Sequence, residues 1–157
     1  MKRTEIEKLI NLIEMEKKHA SSLSKSVEDL SNIGIQEILR GIASDSQKHA
    51  GFYRAILNLH SKIEQALTED DYKRLEEVIR KHIDIEKQMI EESKQLLQSI
   101  KEPRIQYLLK EIYDDELKHH TFMKRILDAV VKRETVFDAD WWDFMWDGVP
   151  GHGTPIG

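Results

Sequence analysis

Cysteine is absent from the 157 residues, and that absence removes disulfides, thiolate nucleophiles, iron–sulfur clusters and zinc-ribbon sites together. Any metal must be held by oxygen and imidazole nitrogen. Helix breakers are scarce as well, with three prolines and seven glycines, so long helices are free to form. No apolar run approaches the ~20 residues that span a bilayer, and Met1, Lys2 and Arg3 lead into charged residues instead of a secretory apolar stretch. A soluble, cytoplasmic protein is expected, without a membrane partner. The net charge of −5 argues against nucleic acid as a partner. Aromatic residues make up 7% of the chain, and all three tryptophans lie between positions 141 and 146.

What is present is helical periodicity. Ile6, Leu9, Ile13, Glu16, Ala20, Leu23, Val27 and Leu30 follow the three-and-four spacing of one helix face. A second stripe runs through Ile35, Ile38, Ile42, Asp45, His49, Phe52, Ile56, Leu59, Ile63 and Ala66. A third takes in Ile79, Ile83, Glu86, Ile90, Leu97 and Ile100, and a fourth Ile105, Leu108, Ile112, Asp115, His119, Phe122, Ile126 and Val130. The pattern predicts helices over about 3–30, 33–66, 69–100 and 103–132, each apolar on one face except near its middle. Punctuation agrees: Ser31, Asn32 and Gly34 interrupt the first pair, Thr68 with Asp71 reads as an N-cap, and Pro103 suits a first helical turn.

The chain also repeats itself. Residues 6–57 laid over residues 76–127 without a gap give 14 identities in 52 positions. Glu16 meets Glu86, Asp45 meets Asp115, His49 meets His119, Gln36 meets Gln106 and Lys48 meets Lys118. A duplicated helix pair of this kind can set two copies of one half-site across an internal axis. The repeat halves run from about 4 to 66 and 74 to 132, giving a bundle over 1–135 and a separate segment over 136–157.

Charge on a predicted core face needs a reason. An isolated carboxylate inside a bundle costs several kcal/mol at least, so it must be paired, protonated or bound to a cation. No lysine or arginine shares the mid-stripe positions of Glu16, Glu86, Asp45 and Asp115. Carboxylates and imidazoles converging without a cationic partner form a donor set for a divalent metal, and mixed nitrogen and oxygen donors favour iron, manganese or zinc over calcium. Glu116 precedes His119 by three residues, so both side chains can reach one ion. His60, His120 and His152 fall off the stripes or in the tail, and solvated positions are expected for them.

One Glu on each of two helices, alternating with E-x-x-H on the other two, resembles the ferritin-like di-iron carboxylate proteins, above all their rubrerythrin-related branch. Glu16, His49, Glu86, Glu116 and His119 carry the likeness, which covers residues 3–132. The resemblance implies an antiparallel four-helix bundle holding two iron ions, with manganese or zinc as alternatives. It also implies ferroxidase- or peroxidase-like chemistry on O₂, peroxide or Fe²⁺. One position departs from the family pattern: Ser46 stands where the second helix should supply its Glu. The site then holds two metals loosely, holds one, or recruits Asp45 or His19 as substitutes. Asp45 and Asp115 have a second reading, each accepting a hydrogen bond from a ligating imidazole. Without cysteine, electrons must come from an external donor.

Two features lie outside the bundle pattern. Little chain separates the second and third stripes, which predicts either an up-down-up-down bundle or a domain-swapped homodimer. Phe137, Trp141, Trp142, Phe144 and Trp146 form an aromatic tail, read as a cover for the bundle or a docking peptide. The alternative to an oxidoreductase is a non-catalytic helical assembly or binding protein stapled by its metal.

Overall fold

The computed structural model describes residues 1–61 and 67–133. Four helices follow in order: α1 Arg3–Ser26, α2 Ile33–Ser61, α3 Glu69–Ser99 and α4 Pro103–Lys132. Helix α1 packs on α2, and α3 packs on α4. Each repeat half is therefore one helical hairpin, and the chain divides into two compact units that correspond to them. The fold is all-α and built from a duplicated helix pair, consistent with the four-helix bundle read from the sequence. Among the described residues, no helix is long and apolar enough to cross a membrane. The aromatic tail lies outside the described residues.

Within the first hairpin the seam runs at seven-residue spacing, with alanines at its middle. Ile13, Ala20 and Val27 come from the α1 side, and Gln36, Ala43 and Ala50 from α2, all buried. Sevenfold spacing with small side chains lets two helices approach closely at a shallow angle. The second hairpin uses Glu86 and Ser93 of α3, buried, against Gln106, Tyr113, His120 and Leu127 of α4, half-buried. This corrects two expectations. The stripe of Ile35, Ile38, Ile42, Phe52 and Ile56 is 41–53% exposed, because α2 turns the neighbouring Gln36–Ala43–Ala50 line toward α1. His120 is half-buried on its hairpin's seam, with Nδ1 out of contact with water and lacking a hydrogen-bond partner.

The helix ends follow their side chains. Asn32 Oδ1 accepts from the Ile35 amide at 3.1 Å, opening α2. Thr68 Oγ1 accepts from the Asp71 amide at 3.2 Å while Asp71 Oδ2 accepts from the Thr68 amide at 2.9 Å, a reciprocal pair that satisfies two otherwise unbonded donors. Glu102 Oε2 accepts from the Ile105 amide at 2.8 Å ahead of α4, whose first residue is Pro103. Helix α4 ends at Arg133, which adopts a left-handed conformation with φ 55°. Its guanidinium pairs with Glu69 and lies 5.5 Å from the centre of the Tyr72 ring, tying the end of α4 to the start of α3.

Helix α1 stops at Ser26, short of the predicted residue 30, and a glutamine accounts for the difference. Gln36 Nε2 donates to the carbonyl oxygens of Val27 at 2.8 Å and Glu28 at 3.0 Å. Its repeat partner Gln106 donates to Leu97 O at 2.8 Å and also to Ile100 O. Val27 and Leu97 are themselves equivalent across the repeat. In both hairpins an amide from the second helix thus satisfies carbonyls that the end of the first leaves open. Because Gln36 is buried, removing its donors strands those carbonyls, and Gln36→Ala or Gln106→Ala should each destabilise the protein by about 1–3 kcal/mol. Urea unfolding should give that loss, whereas Gln→Ala at exposed Gln47 should fall within about 0.5 kcal/mol of the parent.

Candidate metal centre

In the second hairpin the seam carries its charge on both sides. Glu86 occupies a seam position of α3 and is 7% exposed. Glu116 and His119, one turn apart on α4, reach toward it. His119 Nδ1 lies 4.0 Å from Glu86 Oε1 and 3.9 Å from Glu116 Oε2. One donor atom from each of the three residues falls within 4.8 Å of the others, the spread of a set that can close on one ion. Glu86 Oε2 and Glu116 Oε2 are both buried and lack hydrogen-bond partners. Buried acceptors left unbonded are costly, and two carboxylates facing each other without a cation are costlier still. Glu86 registers this directly. Burial first, and the neighbouring Glu116 carboxylate second, push its pKa up from 4.5 to about 7. A divalent cation would meet both orphaned oxygens and remove the repulsion, so these residues fit a metal.

The first hairpin repeats the geometry with different chemistry. His49 Nδ1 lies 3.4 Å from Glu16 Oε1, so the imidazole again turns Nδ1 toward the carboxylate of the facing helix. In place of the second carboxylate stands Ser46, buried at 5% exposure, with its Oγ 3.0 Å from His19 Nδ1. His19 thus meets Ser46, but among the described residues Glu16, His19 and His49 do not close into a group able to hold one ion as Glu86, Glu116 and His119 do. Its repeat equivalent in the second hairpin is Met89.

The aspartates behave differently from either reading of the sequence. Asp45 Oδ1 pairs with Lys48 Nζ at 2.5 Å, and Asp115 Oδ1 with Lys118 Nζ at 3.0 Å. Each lysine sits three residues further along the same helix, within easy reach on that face. The repeat aligns these lysines with one another, a signal that identifies the pairs once the aspartates are placed at the helix surface. Hydrogen bonds from His49 to Asp45 or from His119 to Asp115 are not formed.

The rubrerythrin family model matches residues 21–127, a span that takes in His49, Glu86, Glu116 and His119 and begins beyond Glu16 and His19. No curated protein and no solved structure matches the chain.

The raised pKa of Glu86 makes the metal-free protein sensitive to pH. A carboxyl group whose folded pKa exceeds its unfolded value stabilises the fold while it is protonated in both states, and that contribution is lost as pH climbs through the folded value. Metal-free protein should accordingly lose on the order of 2 kcal/mol of stability between pH 4.5 and 7. Glu86→Gln, which keeps the shape without the ionisation, should flatten that dependence in thermal melts made in the presence of chelator. A parallel slope in parent and variant would contradict the assignment.

Proposed function

The chain belongs to the rubrerythrin family, and from that premise we propose that it binds iron and acts as an oxidoreductase toward O₂, peroxide or Fe²⁺. The observation that carries the reading is the convergence of Glu86, Glu116 and His119 around buried, unpartnered carboxylate oxygens. Bound iron would supply one-electron redox chemistry with oxygen species. The chain supplies the rest. Glu116 and His119, spaced by less than one helical turn, present oxygen and nitrogen from one side, and Glu86 presents oxygen from the other. His119 is 58% exposed at its side chain, which leaves the centre open to small molecules along that edge. With its carboxyl pushed up to about 7, Glu86 is partly protonated near neutral pH when no cation is present, so ion binding displaces that proton and tightens as pH rises.

Two further elements complete the proposal. With no cysteine in the sequence, reducing equivalents for a peroxidase cycle come from a separate donor protein. The isoleucine stripe of α2 and its counterpart on α4, Ile105, Leu108 and Ile112, are not covered by their own hairpins. Apolar surface on that scale favours a second copy of the chain as partner, and a homodimer is the expected assembly. The competing reading, a metal that only staples the helices, draws support from Ser46, which leaves the first hairpin a carboxylate short.

Anaerobic titration with Fe²⁺ followed by elemental analysis tests binding. Parent protein should retain iron through gel filtration, and Glu86→Ala or His119→Ala should release the ion of the second hairpin. Mixing the iron-loaded protein with peroxide tests catalysis. Oxidation at least ~10-fold faster than that of free Fe²⁺, and lost in His119→Ala, supports the oxidoreductase. Retained iron that reacts no faster than free Fe²⁺ supports the staple instead.

A further inference from the structure

We propose that two copies of this chain meet through their second hairpins and share a two-metal centre, to which each copy contributes Glu86, Glu116 and His119. The proposal rests on the metal-binding reading above and names the surface that completes the site. Among the described residues these three are the group whose donor atoms gather closely enough to hold one ion. Three donors fill about half of the six positions that manganese or iron commonly takes, so the sphere stays open. The opening faces outward, because the His119 side chain is 58% exposed.

What surrounds that opening is apolar. Ile105, Leu108 and Ile112 fall on the same face of α4 as His119 and are 39–49% exposed. Among the described helices α3 alone packs on α4, and it leaves this line uncovered. A surface that covers the line covers the open side of the metal centre with it. Position along the helix suits a second copy in that role. Thirteen residues of α4 precede Glu116 and thirteen follow His119, so the donors sit at the middle of Pro103–Lys132. A two-fold axis through the middle lays one centre on the other and pairs the helix along its length, the self-complementary geometry of a symmetric dimer.

Charge selects the second hairpin as its own partner. Glu86 and Glu116 bring two negative charges, which one divalent ion balances, so each loaded half is neutral and can be buried against its copy at low cost. Four carboxylates then surround two ions, the composition of a neutral two-metal centre. The first hairpin lacks that balance. Ser46 stands where Glu116 would supply the second carboxylate, and the residues there do not close into such a group. Without metal, the same apposition would gather four carboxylates with no cation among them, which is strongly unfavourable. Ion binding and association of the copies are therefore linked.

Titration of the full-length, metal-free protein with Mn²⁺, followed by analytical ultracentrifugation and electron paramagnetic resonance, tests this. The parent should bind one Mn²⁺ per chain, lower its dimer dissociation constant at least ~10-fold, and show the multiline signal of two exchange-coupled ions. Glu86→Gln and His119→Ala should each lose the coupled signal and the gain in association. Because His119 is largely exposed, circular dichroism should show its variant folded. Glu16→Ala and His49→Ala should keep both the signal and the gain. Mn²⁺ bound as isolated ions, or bound without change in self-association, would overturn the proposal while the metal-binding reading stands. Loss of the coupled signal in folded Glu16→Ala or His49→Ala would overturn it as well, since the first hairpin would then belong to the centre. Failure of the parent to bind Mn²⁺ would overturn both.

Discussion

Two carboxylates buried side by side without a cation are the constraint on which this protein turns. Glu86 lies on the seam where α3 meets α4, and Glu116 closes on it from the opposite helix. The cost of that arrangement appears as a pKa displaced to about 7, so near neutral pH the pair is poised to hold a proton or exchange it for a metal. A fold selected for stability alone would place apolar side chains here, because replacing buried ionic groups by well-packed apolar ones is often neutral or stabilising. The presence of both carboxylates, with His119 turned toward them, is what gives the hairpin its chemistry.

Duplication organises everything around that pair. Both hairpins close with the same glutamine, Gln36 or Gln106, bonding to the carbonyl of an equivalent residue in the preceding helix. Both place an aspartate–lysine pair on the outside of the second helix of the hairpin. Both turn Nδ1 of a histidine toward a glutamate on the facing helix. Against that shared frame the differences carry meaning. Ser46 and His19 stand opposite Glu116 and Met89, and with them the two halves part in charge while each remains a helical hairpin.

The helices, their pairing and the start signals of α3 and α4 were legible in the sequence because they depend on local spacing and on short-range effects: Thr68 with Asp71, and Pro103 in the first turn, act within one turn. The second-hairpin donors were legible because a glutamate on an apolar stripe has few physical explanations. Harder to read was which of two adjacent lines on α2 faces α1. Periodicity marks Ile35–Ile38–Ile42 as apolar, yet close approach depends on small side chains, and Gln36–Ala43–Ala50 won. The same shift explains Asp45 and Asp115, which lie at the surface within reach of Lys48 and Lys118. The early end of α1 was hidden because the group that fixes it, the Gln36 amide, acts from the next helix. Identity between Gln36 and Gln106 in the repeat was the available signal.

Anomalous X-ray diffraction from crystals of protein produced with iron in the medium, recorded on both sides of the iron edge, addresses the central claim most directly. The account predicts an iron peak within bonding distance of Glu86, Glu116 and His119, with both carboxylate groups turned inward to meet it. Crystals grown near neutral pH with free iron present, yet showing no anomalous density between these residues and a direct hydrogen bond between Glu86 and Glu116, would contradict it.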